Sequence, residues 1–138
     1  MNHEILFRGK RKDDRGWAYG NYIYNPKDEE YYIGVYEPPQ NLLRKLEWNV
    51  YEALPETVGQ YTGLTDKNGT KIFEGDIVKI NEEIGKVEVH PEVASFGVRW
   101  SPTKISLFLD FFFAKCLEKI EVIGNIHNNP ELLGGDGS

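Results

Sequence analysis

Residues 65–80 read Thr65-Asp66-Lys67-Asn68-Gly69-Thr70-Lys71-Ile72-Phe73-Glu74-Gly75-Asp76-Ile77-Val78-Lys79-Ile80. Asn68-Gly69 is the residue pair of a type I′ hairpin turn, in which both central residues take positive φ. Glu74-Gly75-Asp76 then precedes Ile77 to Ile80, a short apolar strand. Working outward, Glu82 to Gly85 forms a turn into Lys86-Val87-Glu88-Val89-His90, which alternates apolar and polar side chains. Phe96, Val98 and Trp100 alternate in the strand after that, and Pro91 and Pro102 fall between or after strands, where a missing ladder donor does no harm. The second half of the chain therefore reads as antiparallel β-structure.

Upstream, the first third reads as a β-meander. Ile5 and Phe7 alternate with Leu6 and Arg8, and Lys12-Asp13-Asp14-Arg15-Gly16 supplies a turn. Trp17, Tyr19, Asn21 and Ile23 share one face of the next strand, with Ala18, Tyr22 and Tyr24 on the other. Asn25-Pro26-Lys27-Asp28 is a second turn, and Tyr31 to Tyr36 a third strand of β-favouring types. Pro38-Pro39-Gln40-Asn41 interrupts the pattern. Leu42, Leu43 and Leu46 fit helical spacing, but Glu47 to Leu54 fits a strand better. The aromatic density fills the core of a thin sheet, or stands exposed as a stacking platform.

Downstream, Leu109, Phe112, Phe113, Cys116 and Leu117 recur at helical spacing, widened by Phe108 and Phe111. One amphipathic helix is expected there, packed on a sheet or at a subunit contact. Lys119 to His127 returns to strand, and Asn129-Pro130-Glu131 opens a short terminal helix with an N-cap and a first-turn proline.

The chain has 138 residues, one cysteine and a net charge of −6. That length suits one compact domain or a small barrel with an appendage, and it needs no disulfide or metal to hold it. A single cysteine excludes an internal disulfide framework and points to a reducing compartment; on the apolar stripe, Cys116 reads as a core residue. No stretch reaches the ~18 apolar residues of a membrane span, and the start carries no signal-like apolar segment, so a cytoplasmic protein with no membrane partner is expected. The acidity disfavours nucleic acid as a partner. The local exception is Arg8, Lys10, Arg11, Lys12 and Arg15 in the first hairpin, beside Trp17. This run reads as a solvated turn, with a nucleic-acid contact as the alternative.

No catalytic constellation stands out. His3, His90 and His127 lie far apart and match no metal-ligand spacing. Asp66, Asn68 and Glu74 hint at a calcium loop, but its glycine belongs at position six and here stands at four. Glu74, Asp76, Glu82, Glu83 and Glu88 could serve acid–base chemistry in a hydrolase or transferase only if folding gathered them. No catalytic, cofactor-binding or metal-ligating residue is therefore assigned.

Two long stretches carry a family resemblance: Glu56 to Ile80, ETVGQYTGLTDKNGTKIFEGDIVKI, and Ile120 to Leu133, IEVIGNIHNNPELL. With the opening EILFRGKRK and Trp17-Ala18-Tyr19-Gly20, they resemble the YopX family. The resemblance implies a phage or prophage origin, a mainly β chain whose C-terminal part is an SH3-like barrel, and a homo-oligomer. It implies no catalytic residues. Thr57, Gln60, Tyr61, Asp76 and Asn125 are the polar positions within the matching stretches, where a shared ligand surface would be sought; bonding to backbone at strand corners is the competing reading. The expectation is an N-terminal meander over 1–54 and a barrel with one helix over 55–138. Its expected role is that of a non-enzymatic protein-interaction module.

Overall fold

The computed structural model describes residues 5–37, 47–90, 92, 95–108 and 117–133. The fold is mainly β. Its strands are β1 (Phe7–Lys10), β2 (Trp17–Asn25), β3 (Glu30–Glu37), β4 (Glu47–Glu52), β5 (Gly59–Thr65), β6 (Lys71–Phe73), β7 (Asp76–Ile80), β8 (Glu83–His90), β9 (Ser95–Ser101), β10 (Lys104–Leu107) and β11 (Glu121–Asn125). All the pairings are antiparallel. The chain divides into two compact units, residues 1–60 and 61–138.

In the first unit the order is β4-β3-β2-β1, and β1 also pairs with the start of β5, Phe7 opposite Gln60 and Arg8 opposite Gly59. β2 changes partner midway. Trp17 to Gly20 pair with β1, and Asn21 to Asn25 pair with β3. Gly20 stands at that change, so close to the backbone of Gly34 that a Cβ there would overlap the Gly34 carbonyl oxygen. The alternation read from the sequence of β2 holds. Ala18 packs with Ile33, Ala53, Phe7, Val35, Tyr51 and Val58 on one face, while Trp17 lies with Arg8 on the other. Gly9 is needed for the same core, because an added Cβ would come within 2.9 Å of Ala53 Cβ.

In the second unit the order is β10-β9-β8-β7-β11, accompanied by the β5–β6 ladder. Ile72, Val78, Val87, Val98 and Ile120 form the core, joined by Leu64, Ile80, Trp100, Phe108 and Val122. Each such aliphatic burial stabilises by about 1.5–3 kcal/mol relative to exposure. The pairings leave this sheet open, with β10 and β11 at its edges, where a closed barrel was expected. The β5–β6 ladder retains two residue pairs, Tyr61 with Phe73 and Thr65 with Lys71, and breaks register between them around Gly63, whose φ is +88°.

The hairpin at Asn68-Gly69 also differs from expectation. Gly69 takes φ +82°, but Asn68 is not in the left-handed region. The loop is longer than a two-residue turn: Asp66 N–H donates to Thr70 O at 2.8 Å and Gly69 N–H to Asp66 O at 3.0 Å. The Asp66 side chain selects this form by accepting the Asn68 and Thr70 N–H groups at 2.8 and 2.9 Å. At the C-terminal end, Pro130–Leu133 is a 3-10 turn in place of an α-helix. Asn129 turns back, its Oδ1 accepting the Asn125 N–H at 3.3 Å, while its backbone oxygen accepts the Leu132 N–H at 3.0 Å. The expected amphipathic helix falls on residues 109–116, outside the described residues, and Leu117–Lys119 after it is another 3-10 turn. No helix among the described residues is long and apolar enough to cross a membrane.

Candidate functional site

Among the described residues eight large apolar side chains are exposed, and six of them, Ile5, Tyr19, Tyr22, Ile23, Tyr24 and Val50, lie in the first unit. The concentration follows from the thinness of its sheet. Ala18, Ile33 and Ala53 form its buried centre, a small core for a sheet of this many strands. On the face carrying Trp17, Ile23 sits beside Tyr32 and Glu52 in one cross-strand row, and Val50 beside Gly34 and Asn21 in the next. Val50 is 52% exposed, while Gly34 beside it is buried and adds no side chain.

On the opposite face the tyrosines form a rail leading out of the core. Phe7 meets Tyr22 at 5.6 Å between ring centroids, Tyr22 stacks on Tyr31 at 6.3 Å with ring planes 8° apart, and Tyr24 meets Tyr31 at 4.9 Å. Such pairs add about 0.5–1.5 kcal/mol beyond area burial, so the rail is preordered. Partial burial, then the neighbouring Tyr31 and Tyr24, hold the Tyr22 phenol above its ordinary pKa. Beyond the rail the β2–β3 turn carries Asp28 and Glu29 against Lys27, and Glu30 opens β3. Asn25 shapes it, its Nδ2 donating to Asp28 Oδ2 at 3.1 Å and its Oδ1 accepting Lys27 N–H at 3.1 Å. A hydrogen bond to Glu30, then burial and the charges of Glu30, Glu52 and Asp28, push the Tyr32 phenol up as well. The end of the arm is aromatic and acidic.

The basic hairpin is arranged differently from a phosphate-binding patch. Arg8 is 6% exposed and lies 4.9 Å from the Trp17 ring centroid. Arg11 pairs with Asp13 at 2.6 Å and covers the Tyr51 ring at 4.0 Å. The Arg11 hydrogen bond outweighs partial desolvation and holds the Asp13 carboxyl below its ordinary range. Lys12 pairs with Glu52 at 3.1 Å, Lys10 is half-buried, and Arg15 is exposed. Asp13 and Glu52, one of them 39 residues further along the chain, thus neutralise two of the five cations.

Three of the five motif positions are buried: Thr57, Tyr61 and Asp76. Thr57 Oγ1 donates to Leu54 O at 2.6 Å and accepts the Lys10 N–H at 2.8 Å. Asp76 Oδ2 accepts the Phe73 N–H at 2.7 Å, closing the turn in which Gly75 takes φ +93°. Tyr61 packs on Phe73 at 5.6 Å. Gln60 pairs opposite Phe7, and Asn125 Oδ1 accepts the N–H groups of His127 and Asn128 at 3.0 and 2.9 Å. Thr57, Asp76 and Asn125 therefore bond backbone at corners, and the five positions do not assemble one exposed surface.

The acidic residues do not converge either. Glu83 pairs with Lys104 at 3.0 Å, and Glu88 takes Arg99 at 2.8 Å, His90 at 3.3 Å and Lys86 at 3.6 Å. Among the described residues no group of three His, Cys, Asp or Glu could hold a metal ion. A half-open cleft of about 400 Å³ between Ile84, Trp100, Pro102 and Leu133 includes Lys86 and Arg99 but no carboxylate, imidazole or thiol. Arg99 is already bonded to Glu88 and to Pro102 O.

Asp66 went unassigned in the sequence except as part of a discarded calcium loop. It is 6% exposed, and besides its two loop bonds its Oδ2 accepts the Val122 N–H at 2.9 Å, 56 residues away. Lys67 N–H donates to Ile120 O at 2.9 Å alongside it. Burial alone would raise the Asp66 carboxyl; the N–H groups of Val122, Thr70 and Asn68 outweigh this and hold it below its ordinary range. Its one sequence signal is an aspartate opening an Asn-Gly loop, and nothing local betrays the third donor.

The YopX protein family matches the chain over residues 6–134. No curated protein matches it. Among solved structures, the crystal structure of protein EF1440 from Enterococcus faecalis is similar, with 22% identity and a TM-score of 0.54. The alignment covers 96% of this chain and 100% of that one, a likeness of fold. With the family match running from the first described strand through the last 3-10 turn, this chain belongs to the YopX protein family.

Proposed function

We propose that this protein is a non-enzymatic, phage- or prophage-associated interaction module that works in the cytoplasm of a bacterial host and contacts a protein through the β2–β3–β4 arm of its first unit. The observation that carries this reading is the exposure of large apolar side chains on both faces of this sheet, Tyr19, Ile23 and Val50 on one and Tyr22 and Tyr24 on the other. Large exposed apolar side chains grouped on one sheet point to contact sites, and tyrosine is enriched at interfaces because its ring buries area while its hydroxyl stays wet. The second unit is read as an open variant of an SH3-like barrel. A second copy of the chain is one partner the surface admits.

The test is a photoreactive benzoylphenylalanine placed at Tyr24 and, as a control, at exposed Thr103 in the other unit. The full chain is irradiated in the bacterium whose genome encodes it. A discrete protein adduct at position 24 and none at 103 is expected, and an adduct of twice the chain mass identifies a second copy. No adduct at 24, or the same adducts at both positions, contradicts the proposal.

A further inference from the structure

We infer that the half-open cleft of the second unit between Ile84, Trp100, Pro102 and Leu133 is a ligand site for a small amphiphilic acid, held as its carboxylate by Lys86 and Arg99. The site uses no residue of the β2–β3–β4 arm. At about 400 Å³ the cleft falls within the range of small-molecule sites, which combine apolar walls with a few convergent polar groups. Its walls are held in place. The Trp100 Nε1–H donates to Ser106 Oγ at 2.9 Å, which fixes the indole. Leu133 ends the 3-10 turn that the Leu132 N–H closes onto Asn129 O at 3.0 Å.

The polar end follows from cross-strand register. Lys86 on β8 stands directly opposite Arg99 on β9, two like charges side by side. One carboxylate, Glu88, serves both: its Oε1 accepts the Arg99 Nε–H at 2.8 Å, and its Oε2 lies 3.6 Å from Lys86 Nζ. His90, 3.3 Å from the same carboxylate, adds positive charge only when protonated. Arg99 Nη1 donates to Pro102 O at 3.1 Å, so the guanidinium is anchored through two of its nitrogens. Its Nη2 has no hydrogen-bond acceptor among the described residues, and Lys86 Nζ stands beyond hydrogen-bond distance of Glu88. Both side chains remain partly open to solvent, at 35% for Lys86 and 36% for Arg99. In a chain of net charge −6, this cleft therefore carries one positive charge in excess and two available donors beside an apolar hollow. A monoanion with two oxygens meets both donors in charge-assisted hydrogen bonds, while its hydrocarbon body covers Ile84, Pro102 and Leu133. A dianionic phosphate would exceed the single surplus charge.

The probe is phenylpropionate, titrated into the full-length, isotope-labelled protein and followed by amide NMR shifts. It is expected to shift the amides of Ile84, Lys86, Arg99, Trp100, Ser101 and Leu133 with a dissociation constant of about 1 mM. Phenylpropanol, which lacks the charge, and propionate, which lacks the ring, should each bind at least about 5-fold more weakly. Phenylpropylamine should leave these amides unmoved. Lys86→Gln should weaken phenylpropionate about 3-fold and leave phenylpropanol unchanged, whereas Leu133→Ser should weaken both. Lys12→Gln, in the first unit, should change neither. Dispersed spectra of the variants establish that they remain folded. Absent shifts with phenylpropionate at ten times the expected dissociation constant, equal binding of the amine, or equal losses in Lys86→Gln and Lys12→Gln overturns the inference. Tighter binding of phenyl phosphate than of phenylpropionate would make this a phosphoryl site and overturns the carboxylate assignment as well.

Discussion

Gly20→Ala is expected to destabilise the chain by about 3 kcal/mol, the upper end for an added methyl in a packed interior. The added Cβ would overlap the Gly34 carbonyl oxygen and lie 2.9 Å from its carbon, and both are backbone atoms that no rotamer change can move. The strands would have to part where β2 exchanges β1 for β3, breaking the ladder that begins at Asn21–Gly34. Gly16→Ala is the matched control: nothing lies within 4 Å of its Cβ site, so its cost is that of φ +104° alone, about 1 kcal/mol. Urea denaturation of the two variants checks this. Equal effects would show that close strand approach is not what holds Gly20.

Asp66 should produce the other large effect. Asp66→Ala leaves the N–H groups of Asn68, Thr70 and Val122 without their acceptor, and Asp66→Asn keeps the shape but loses the charge and one acceptor oxygen. Costs of about 3 kcal/mol and about 2 kcal/mol are expected, since bonds to a charged partner count for more than neutral ones. The pH dependence follows from the lowered carboxyl. A depressed folded pKa contributes stability that is fully present above the unfolded value near ~3.9 and is lost as pH falls through the folded value. Wild type should therefore lose stability below about pH 4 more steeply than Asp66→Asn, as urea midpoints between pH 2 and 6 would show. Parallel curves would mean that Asp66 is not ionised in this loop.

The strands were legible because alternation is local. Trp17, Tyr19 and Ile23 against Ala18, Tyr22 and Tyr24 gave the faces of β2, and Lys86 to His90 gave β8. What failed to read was whatever depended on distant partners. Asn68-Gly69 met the I′ pattern, but a carboxylate two residues earlier, tied to Val122, holds a different loop. Arg8 to Arg15 reads as a solvated turn, but neither the burial of Arg8 nor the pairing of Lys12 with Glu52 is visible locally. For the motif residues polarity was visible and burial was not, which left a ligand surface and backbone bonding at corners as competing readings; Thr57 and Asp76 spend their oxygens on backbone. The exposed aromatic arm was hidden for the opposite reason. Rings in a strand imply burial unless the sheet is too thin to cover them.

The central claim is that the apolar residues of the arm serve contact and not folding, and one triple variant separates the two. Ile23→Thr, Tyr24→Thr and Val50→Thr keep β-propensity while removing apolar surface. The account predicts urea stability within about 1 kcal/mol of wild type, as for exposed substitutions, together with loss of the adduct formed by a benzoylphenylalanine at neighbouring Tyr22. A loss of several kcal/mol, or an undiminished adduct in a stably folded variant, would contradict it.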